Sequence, residues 1–535
     1  MDDVEIYIKH QVFRPRALLS ISLSVTAAFP LLYSYLLLGT VDLFHPLQFI
    51  MSLFGSVFTA VLYWMLVTVI LFFTLAYRIT FYKVMNEKLS SPMERLSLAL
   101  SRSSILLAFL HGFSSFLVAC VLTSMIGGRY TDLLVECHTT HRCLNEEKWF
   151  IVLFCTIIGF IFSMEMAASG GYSLCFYSTE KPVMKRLKDV LPSLVKASTR
   201  AVRRASIVYY PAYILFGSST VKLARRVLFL DDDDSMGLKS WWSFFDLTLL
   251  YQMYIAGVLV RFTWALSLFF FHACVTMRAR FELCDTTTGA SLLAALQLKQ
   301  DNLTKMLAFK DLAMIASTCE DDRRARIFSL SMPGGHPKTW STILSVTKGS
   351  LTELLQRLES TNEKLLSAYK GIISHQASKI ETIKPGFHNP GAAKQASNVG
   401  GWRPTLLYKA YSDSLAGEVF HDGQKYIWSL TALSSLITRS VTEDKYGIVQ
   451  QSLGEILVLL LSIHQAIESL FKMAPSLAKA VEEEDVNRRS HLVGVKLREQ
   501  AKLSLEPIAS TFQPHIEHIA GMTTEQMKQL RSFAR

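Results

Sequence analysis

The sequence predicts an all-α protein in two parts: six transmembrane helices, then an α-helical soluble domain. Three observations lead there. Half of the 535 residues are hydrophobic and 19% are charged, against about a quarter charged in ordinary soluble domains. Long apolar runs fill the first half and end at residue 274. Beyond it, apolar residues recur at helical spacing among charged ones, and strand-like alternation is scarce. The expected parts are a cytosolic N-terminus (1–16), a six-span domain (17–275) and a cytosolic helical domain (276–535) with a flexible Pro/Gly-rich loop at 376–404.

The last apolar run, 246–274, organises the rest, with Arg261 the one charge inside it. A run this apolar satisfies its backbone in lipid only as a helix. At about 1.5 Å per residue it exceeds the roughly 30 Å hydrocarbon core. Ahead of it the chain offers spans at 17–38, with Pro30 tolerated as a kink, and at 47–77, 104–126 and 149–169, the last entered by Trp149. Residues 206–221 form the weakest span, short and holding Pro211, Gly217 and several hydroxyls; a re-entrant segment is its alternative. The N-terminus lacks a basic region and a small-residue cleavage site, so the first span is expected to act as its own signal anchor.

Basic residues orient the spans. Lys9, Arg14 and Arg16 precede the first, and Arg78, Lys83, Lys88, Arg95 and Arg102 follow the second. Lys181, Lys185, Arg186, Lys188, Lys196, Arg200, Arg203 and Arg204 precede the fifth. The opposite loops are empty of them at 39–46 and mix them with acids elsewhere, including the run Asp231–Asp234. This bias puts both termini in the cytosol, in agreement with an even number of spans. The net charge of +11 is read as that bias and not as a nucleic-acid footprint; no nucleic-acid motif accompanies it, so direct nucleic-acid binding is not expected. The eight-residue basic set is the candidate lipid-surface segment, since cytosolic leaflets carry anionic head groups.

Eight cysteines are scattered without a CxxC pair, so no metal site is expected. Cys137 and Cys143 share a loop on the lumenal side, where disulfides persist; their spacing allows a bond without requiring one. Inside the spans, Glu165 and Arg261 stand about 24 and 22 Å from their lumenal ends, hence at one depth. Ionisable groups there are usually paired. A structural pair is the preferred reading, an ion or substrate pathway the alternative.

In the soluble half, 281–317 reads as helical. Pro333, Gly334, Gly335, His336 and Pro337 make a turn that reorients the chain. No GK[ST] follows those glycines, so it is not a phosphate loop, and His336 has no carboxylate or nucleophile beside it in sequence. Amphipathic helices follow at 350–369 and 424–440. Residues 447–473 add another, whose apolar core, 456–463, is too short to span a bilayer. Residues 490–535 form a charged helical tail. No constellation carries chemistry, so neither enzyme activity nor a cofactor is expected. The rival reading is a small-molecule transporter or membrane-embedded lipid enzyme of the endoplasmic reticulum with a cytosolic regulatory domain. It would need several inward-facing ionisable residues; the sequence offers essentially Glu165 and Arg261 and no inverted repeat.

The segment Phe328-Ser329-Leu330-Ser331-Met332-Pro333-Gly334-Gly335-His336-Pro337, closed by Trp340, resembles a signature of the transmembrane nucleoporins of the nuclear division cycle family. So does Thr442-Glu443-Asp444-Lys445-Tyr446-Gly447-Ile448-Val449-Gln450, and the layout matches over essentially the whole chain. The resemblance implies a multi-pass protein of the pore membrane, in a nuclear envelope continuous with the endoplasmic reticulum. It would anchor nuclear pore complexes and support their assembly. It implies partners among soluble nucleoporins, including the aladin-type propeller and linker nucleoporins with membrane-binding helices. The family brings no catalytic residues, and the Pro333–Pro337 turn with Trp340 would be structural. Self-association in the membrane stays open.

Overall fold

The computed structural model describes residues 3–40, 46–82, 84, 92–126, 128–136, 142–176, 180–230, 246–283, 291–300, 302–318, 322–330, 335–381, 408, 411–412, 414–415, 417–474 and 489–534. The helices are α1 (Asp3–Tyr7), α2 (Arg14–Thr40), α3 (Pro46–Ile79), α4 (Pro92–Ala99), α5 (Arg102–Ile126), α6 (Glu146–Ala168), α7 (Val183–Val227) and α8 (Leu247–Val275). They continue with α9 (Leu292–Leu296), α10 (Leu303–Ser317), α11 (Asp322–Ile327), α12 (Lys338–Glu381), α13 (Gly423–Glu443), α14 (Leu453–Met473), α15 (Arg489–Phe512) and α16 (Thr524–Phe533). Among the described residues the one sheet is a hairpin, β1 (Leu134–Glu136) antiparallel to β2 (Arg142–Leu144).

Contacts divide the chain into two units. One is Phe13–Lys83 with Arg95–Met277; the other is Met1–Val12, Val84–Glu94 and Arg278–Arg535.

The first unit is a bundle of α2, α3 and α5–α8. Phe150, Phe154, Ile158 and Phe162 of α6 share its core with Met253, Ala256, Val260 and Trp264 of α8. α5 and α6 approach closely because Gly159 faces Ser115: a Cβ on Gly159 would lie 2.6 Å from the His111 carbonyl oxygen. Small residues at such crossings are how helices pack where lipid supplies no hydrophobic drive. The outside of the bundle is apolar, with Phe58 70%, Phe73 67%, Phe109 64% and Leu215 72% exposed. Large contiguous apolar surface of this kind belongs in a bilayer.

Six helices among the described residues are long and apolar enough to cross a membrane: Val4–Leu37, Val57–Ile79, Arg102–Ile126, Glu146–Ala168, Leu247–Val275 and Gln450–Met473. The number agrees with the sequence reading and the membership differs. Five fall on expected spans. The expected span at 206–221 is not among them; it is part of the 45-residue α7, where Tyr209, Tyr213 and Gly217 on the packed face dilute the apolar average. Gln450–Met473, expected in the soluble half, qualifies by composition, yet it packs in the second unit.

That second unit layers α10, α13 and α15, with α12 and α14 packed together and against α13 and α15. Leu351, Leu354 and Leu358 of α12 and Leu457, Leu460 and Ile467 of α14 are buried. Three expectations change here. Residues 281–317 are not one helix: Phe281–Leu283 is non-helical, Glu282 bridges to Ser291, and the short α9 and then α10 follow. The helix expected at 350–369 runs through all of α12 to Glu381, so the first residues of the expected 376–404 loop are helical; 382–404 lies outside the described residues. The charged tail breaks into α15, a 3₁₀ segment (Gln513–His518) and α16, which opens with a capping box, Thr523 and Gln526.

Candidate anchoring and docking site

Within the bundle the structure brings Glu165 and Arg261 together. Arg261 Nη2 donates to Glu165 Oε2, and its guanidinium lies 4.9 Å from the Phe162 ring centroid. The Arg261 side chain is buried, that of Glu165 nearly half exposed. The pair joins α6 to α8, and among the described residues no further ion pair extends it.

Two ionisable residues escaped the sequence reading. Arg78, expected in a cytosolic loop, is buried at the end of α3, because that helix continues past Tyr77; it donates to Ser267 Oγ at 3.0 Å. His111 on α5 is fully buried, its Nδ1 donating to the Leu107 carbonyl at 2.9 Å and its ring edge-on to Trp264, 4.9 Å between centroids. Trp264 Nε1 donates to Ser115 Oγ at 2.8 Å, and Thr74 and Ser114 share a hydrogen bond of 2.6 Å. Hydroxyls at helical spacing on apolar runs were the available signal. They form a polar seam tying α3, α5 and α8, its hydroxyls and the Trp264 indole bonded locally as a low-dielectric interior demands, while His111 Nε2 is buried without a hydrogen-bond partner.

The other end of the bundle is closed by charges and the hairpin. Arg129 pairs with Asp246, the N-cap of α8, and with Glu147 on α6. Lys148 Nζ donates to Ser124 Oγ at 2.9 Å and to the Thr131 carbonyl at 2.6 Å. Cys143, on β2, is disulfide-bonded; Cys137 lies outside the described residues.

The eight basic residues near 181–204 do not act alike. Arg186 is buried, whereas Lys181, Lys185, Lys188, Lys196, Arg200, Arg203 and Arg204 are exposed. Lys181 pairs with Asp189 at 2.8 Å.

In the helical unit, a buried carboxylate fixes the chain just after α8. Asp311 on α10 accepts from Arg278 Nε at 2.8 Å, Arg323 Nη1 at 3.0 Å and the Phe281 amide at 3.0 Å. The two signature segments meet the same fabric. Arg324 clamps Glu443 at 2.7–3.1 Å, tying α11 to the end of α13. Asp444 caps the following turn through the Tyr446 and Val449 amides, and Gly447 there has φ +67°. Gly335 has φ +65°, a left-handed conformation that favours glycine. Trp340 is buried with its ring 6.3 Å from Phe328, while His336 and Pro337 stand at the surface start of α12. Pro333 and Gly334 lie outside the described residues. Among the described residues of the two segments no catalytic arrangement is present. Nearby in the same unit, Gln450, Leu453, Val458, Phe512, His518 and Ile519 line an open cleft of about 840 Å³.

The model of the family described as nucleoporin protein Ndc1-Nup matches residues 12–400 and 406–531. The chain belongs to the Ndc1 nucleoporin family. It is similar to nucleoporin NDC1 of Mus musculus, 23% identical over 94% of this chain and 93% of the relative. It is equally similar to that of Danio rerio, 23% identical over 97% of each. Nucleoporin ndc-1 of Caenorhabditis elegans is 26% identical over 41% of this chain and 39% of its own length. As an Ndc1 nucleoporin with this set of apolar helices, the chain is a multi-pass protein of the nuclear pore membrane and a structural component, not an enzyme.

Proposed function

We propose that this Ndc1 nucleoporin holds nuclear pore complexes to the pore membrane and supports their assembly, its bundle fixed in the bilayer and its helical unit docking soluble nucleoporins from the cytosolic side. The observation that carries the reading is the make-up of the helical unit: Met1–Val12 and Val84–Glu94 belong to it along with Arg278–Arg535. Val4 and Ile8 are buried. Segments that fold into one unit in water share one side of a membrane. Between residues 12 and 84 the chain crosses by α2 and α3. Between 94 and 278 it must again cross an even number of times, and α5, α6 and α8 are three, so α7 supplies the fourth crossing. The basic excess assigns the shared side to the cytosol.

Soluble nucleoporins of the aladin-type propeller and membrane-binding linker classes are the proposed partners, and the cleft at Val458 and His518 the proposed dock. The test is co-purification from detergent extracts with the full chain and with Val458→Glu plus His518→Glu. The double variant is expected to keep its nuclear-rim localisation and lose soluble nucleoporins. Undiminished recovery would remove the cleft from the account. Topology has its own test at the sequon Asn302-Leu303-Thr304, where Asn302 caps α10 by accepting from the Lys305 amide at 3.0 Å. Asn302 is expected to stay unglycosylated; a glycan there would put the helical unit in the lumen. The transporter reading gains nothing from the cavity among Ala28, Leu32, Val67, Val118 and Leu259, which offers about 20 Å³, room for about one water and lined by apolar groups.

A further inference from the structure

We infer that the exposed cationic face of α7 binds anionic phospholipid head groups within the leaflet on the cytosolic side, along the flank of the bundle. The inference rests on the membrane-embedded reading of α7 and adds a ligand to it. At 3.6 residues per turn, Lys188, Lys196, Arg200, Arg203 and Arg204 fall within about 160° of one helix face, and all five are exposed. Among the described residues none of the five has a carboxylate partner; Asp189, the acid on the same stretch, is taken by Lys181.

The position of the stripe makes this more than a solvated face. On the opposite side of the same turns, Val183, Leu187, Val190 and Leu194 pack against Phe262, Leu266, Phe269 and Phe270 of α8. Farther along, Val202 lies close to Gly257, where an added Cβ would meet it at 3.3 Å. The basic turns therefore run alongside a membrane span, from the half of α8 that leads into Arg278 as far as Gly257, just past the helix's middle. Exposed apolar residues border and continue the face: Met184, Leu191 and Val195 beside it, then Ile207, Val208 and Leu215. Water alone does not suit that apolar border, and acyl chains alone do not suit the charges. Lys and Arg reach toward phosphate while their stems stay in hydrocarbon, and anionic head groups match both requirements. Head groups drawn down this flank would thin the leaflet locally, a form of mismatch that costs little per ångström.

The test uses the full chain reconstituted in vesicles of equal parts phosphatidylcholine and phosphatidylserine, with motionally restricted lipid counted by spin-label spectroscopy. Lys188→Gln, Lys196→Gln, Arg200→Gln, Arg203→Gln and Arg204→Gln together are expected to lower the preference for phosphatidylserine by about tenfold or more. Exchange of the same five between Lys and Arg is expected to leave it in place. Should the glutamine variant fail to fold, the unaltered protein still decides: its preference must fall steeply with added salt. Equal preference for the two lipids, a preference indifferent to salt, or a face occupied by a second copy of the chain would each overturn the inference. Failure of the embedded reading itself would look different, as release of the protein from membranes at alkaline pH.

Discussion

Helices α7 and α14 exchange the places their compositions suggest. α14 is apolar enough on average to cross a bilayer; α7 is not. Yet α7 exposes Ile207, Val208, Leu215 and Phe216 at 65–72%, and α14 exposes none of its large apolar side chains. α14 spends its apolar residues inward, with Leu453, Ile456, Leu457, Leu460, Ile463 and Ile467 all buried. Its remaining perimeter is polar and engaged: Arg498 Nε and Nη2 reach Glu468 at 2.6 Å each, and Asn362 Nδ2 donates to the Ala466 carbonyl at 3.0 Å. α7 does the reverse, turning Tyr209 inward, where its hydroxyl donates to the Phe150 carbonyl at 2.8 Å, and leaving aliphatic residues outside. Average hydropathy measures how much apolar surface a helix owns. Which solvent it meets depends on where that surface points.

The sharpest way to break the comparison is a charge in the middle of α14. Leu460→Asp removes a buried aliphatic group and buries a carboxylate without a partner. It is expected to destabilise the helical unit by about 4 kcal/mol or more, read as protease sensitivity of the 278–535 region, while the bundle stays in alkaline-washed membranes. Release from the membrane would mean α14 is an anchor after all. Next in size is Leu215→Asp on the outer face of α7. In lipid it should cost about 3 kcal/mol of insertion, more than a hundredfold in the ratio of inserted to uninserted molecules, read at a glycosylation site engineered between 231 and 245. Were that face in water, the change would stay within about 0.5 kcal/mol. A smaller effect is expected for Glu165 with Arg261. A double-mutant cycle of Glu165→Gln and Arg261→Gln, followed by unfolding in bicelles, should return a coupling of about 1–2 kcal/mol. No coupling would leave the two charges merely adjacent.

Legibility in the sequence followed how local each determinant is. The spans matching α2, α3, α5, α6 and α8 are visible because one run of side chains decides each of them. Glu165 and Arg261 could be set at one depth by counting along helices of similar direction. Arg78 reads from sequence as a loop cation, since a hydropathy average does not register the one further helical turn that buries it. His111 is silent in the sequence because a single imidazole in an apolar run carries no spacing signal; the positions of Trp264 and Phe162 give it meaning. The hairpin at β1 and β2 is too short for alternation to register. Of the signature turn, Gly335 and Trp340 announce a reversal, but the Arg324–Glu443 clamp that joins it to the second signature needs residues 119 apart to meet.

The smallest effect separates the two helices most economically. Lys348 on α12 pairs with Glu455 in the first turn of α14, and both side chains are exposed, 38% and 63%. An ion pair in water contributes about 0.2–1 kcal/mol, because Coulomb attraction is screened and side-chain entropy opposes it. Glu455→Ala should therefore shift the unfolding of the helical unit by no more than about 1 kcal/mol, and the shift should vanish in high salt. If the first turn of α14 met lipid, the same substitution would strand an unpaired ammonium out of water. The cost would then be about 3–5 kcal/mol and nearly independent of salt. Glu468→Gln, opposite Arg498 toward the other end of α14, repeats the measurement about 20 Å away. Two small, salt-sensitive shifts would hold α14 in water along its whole length.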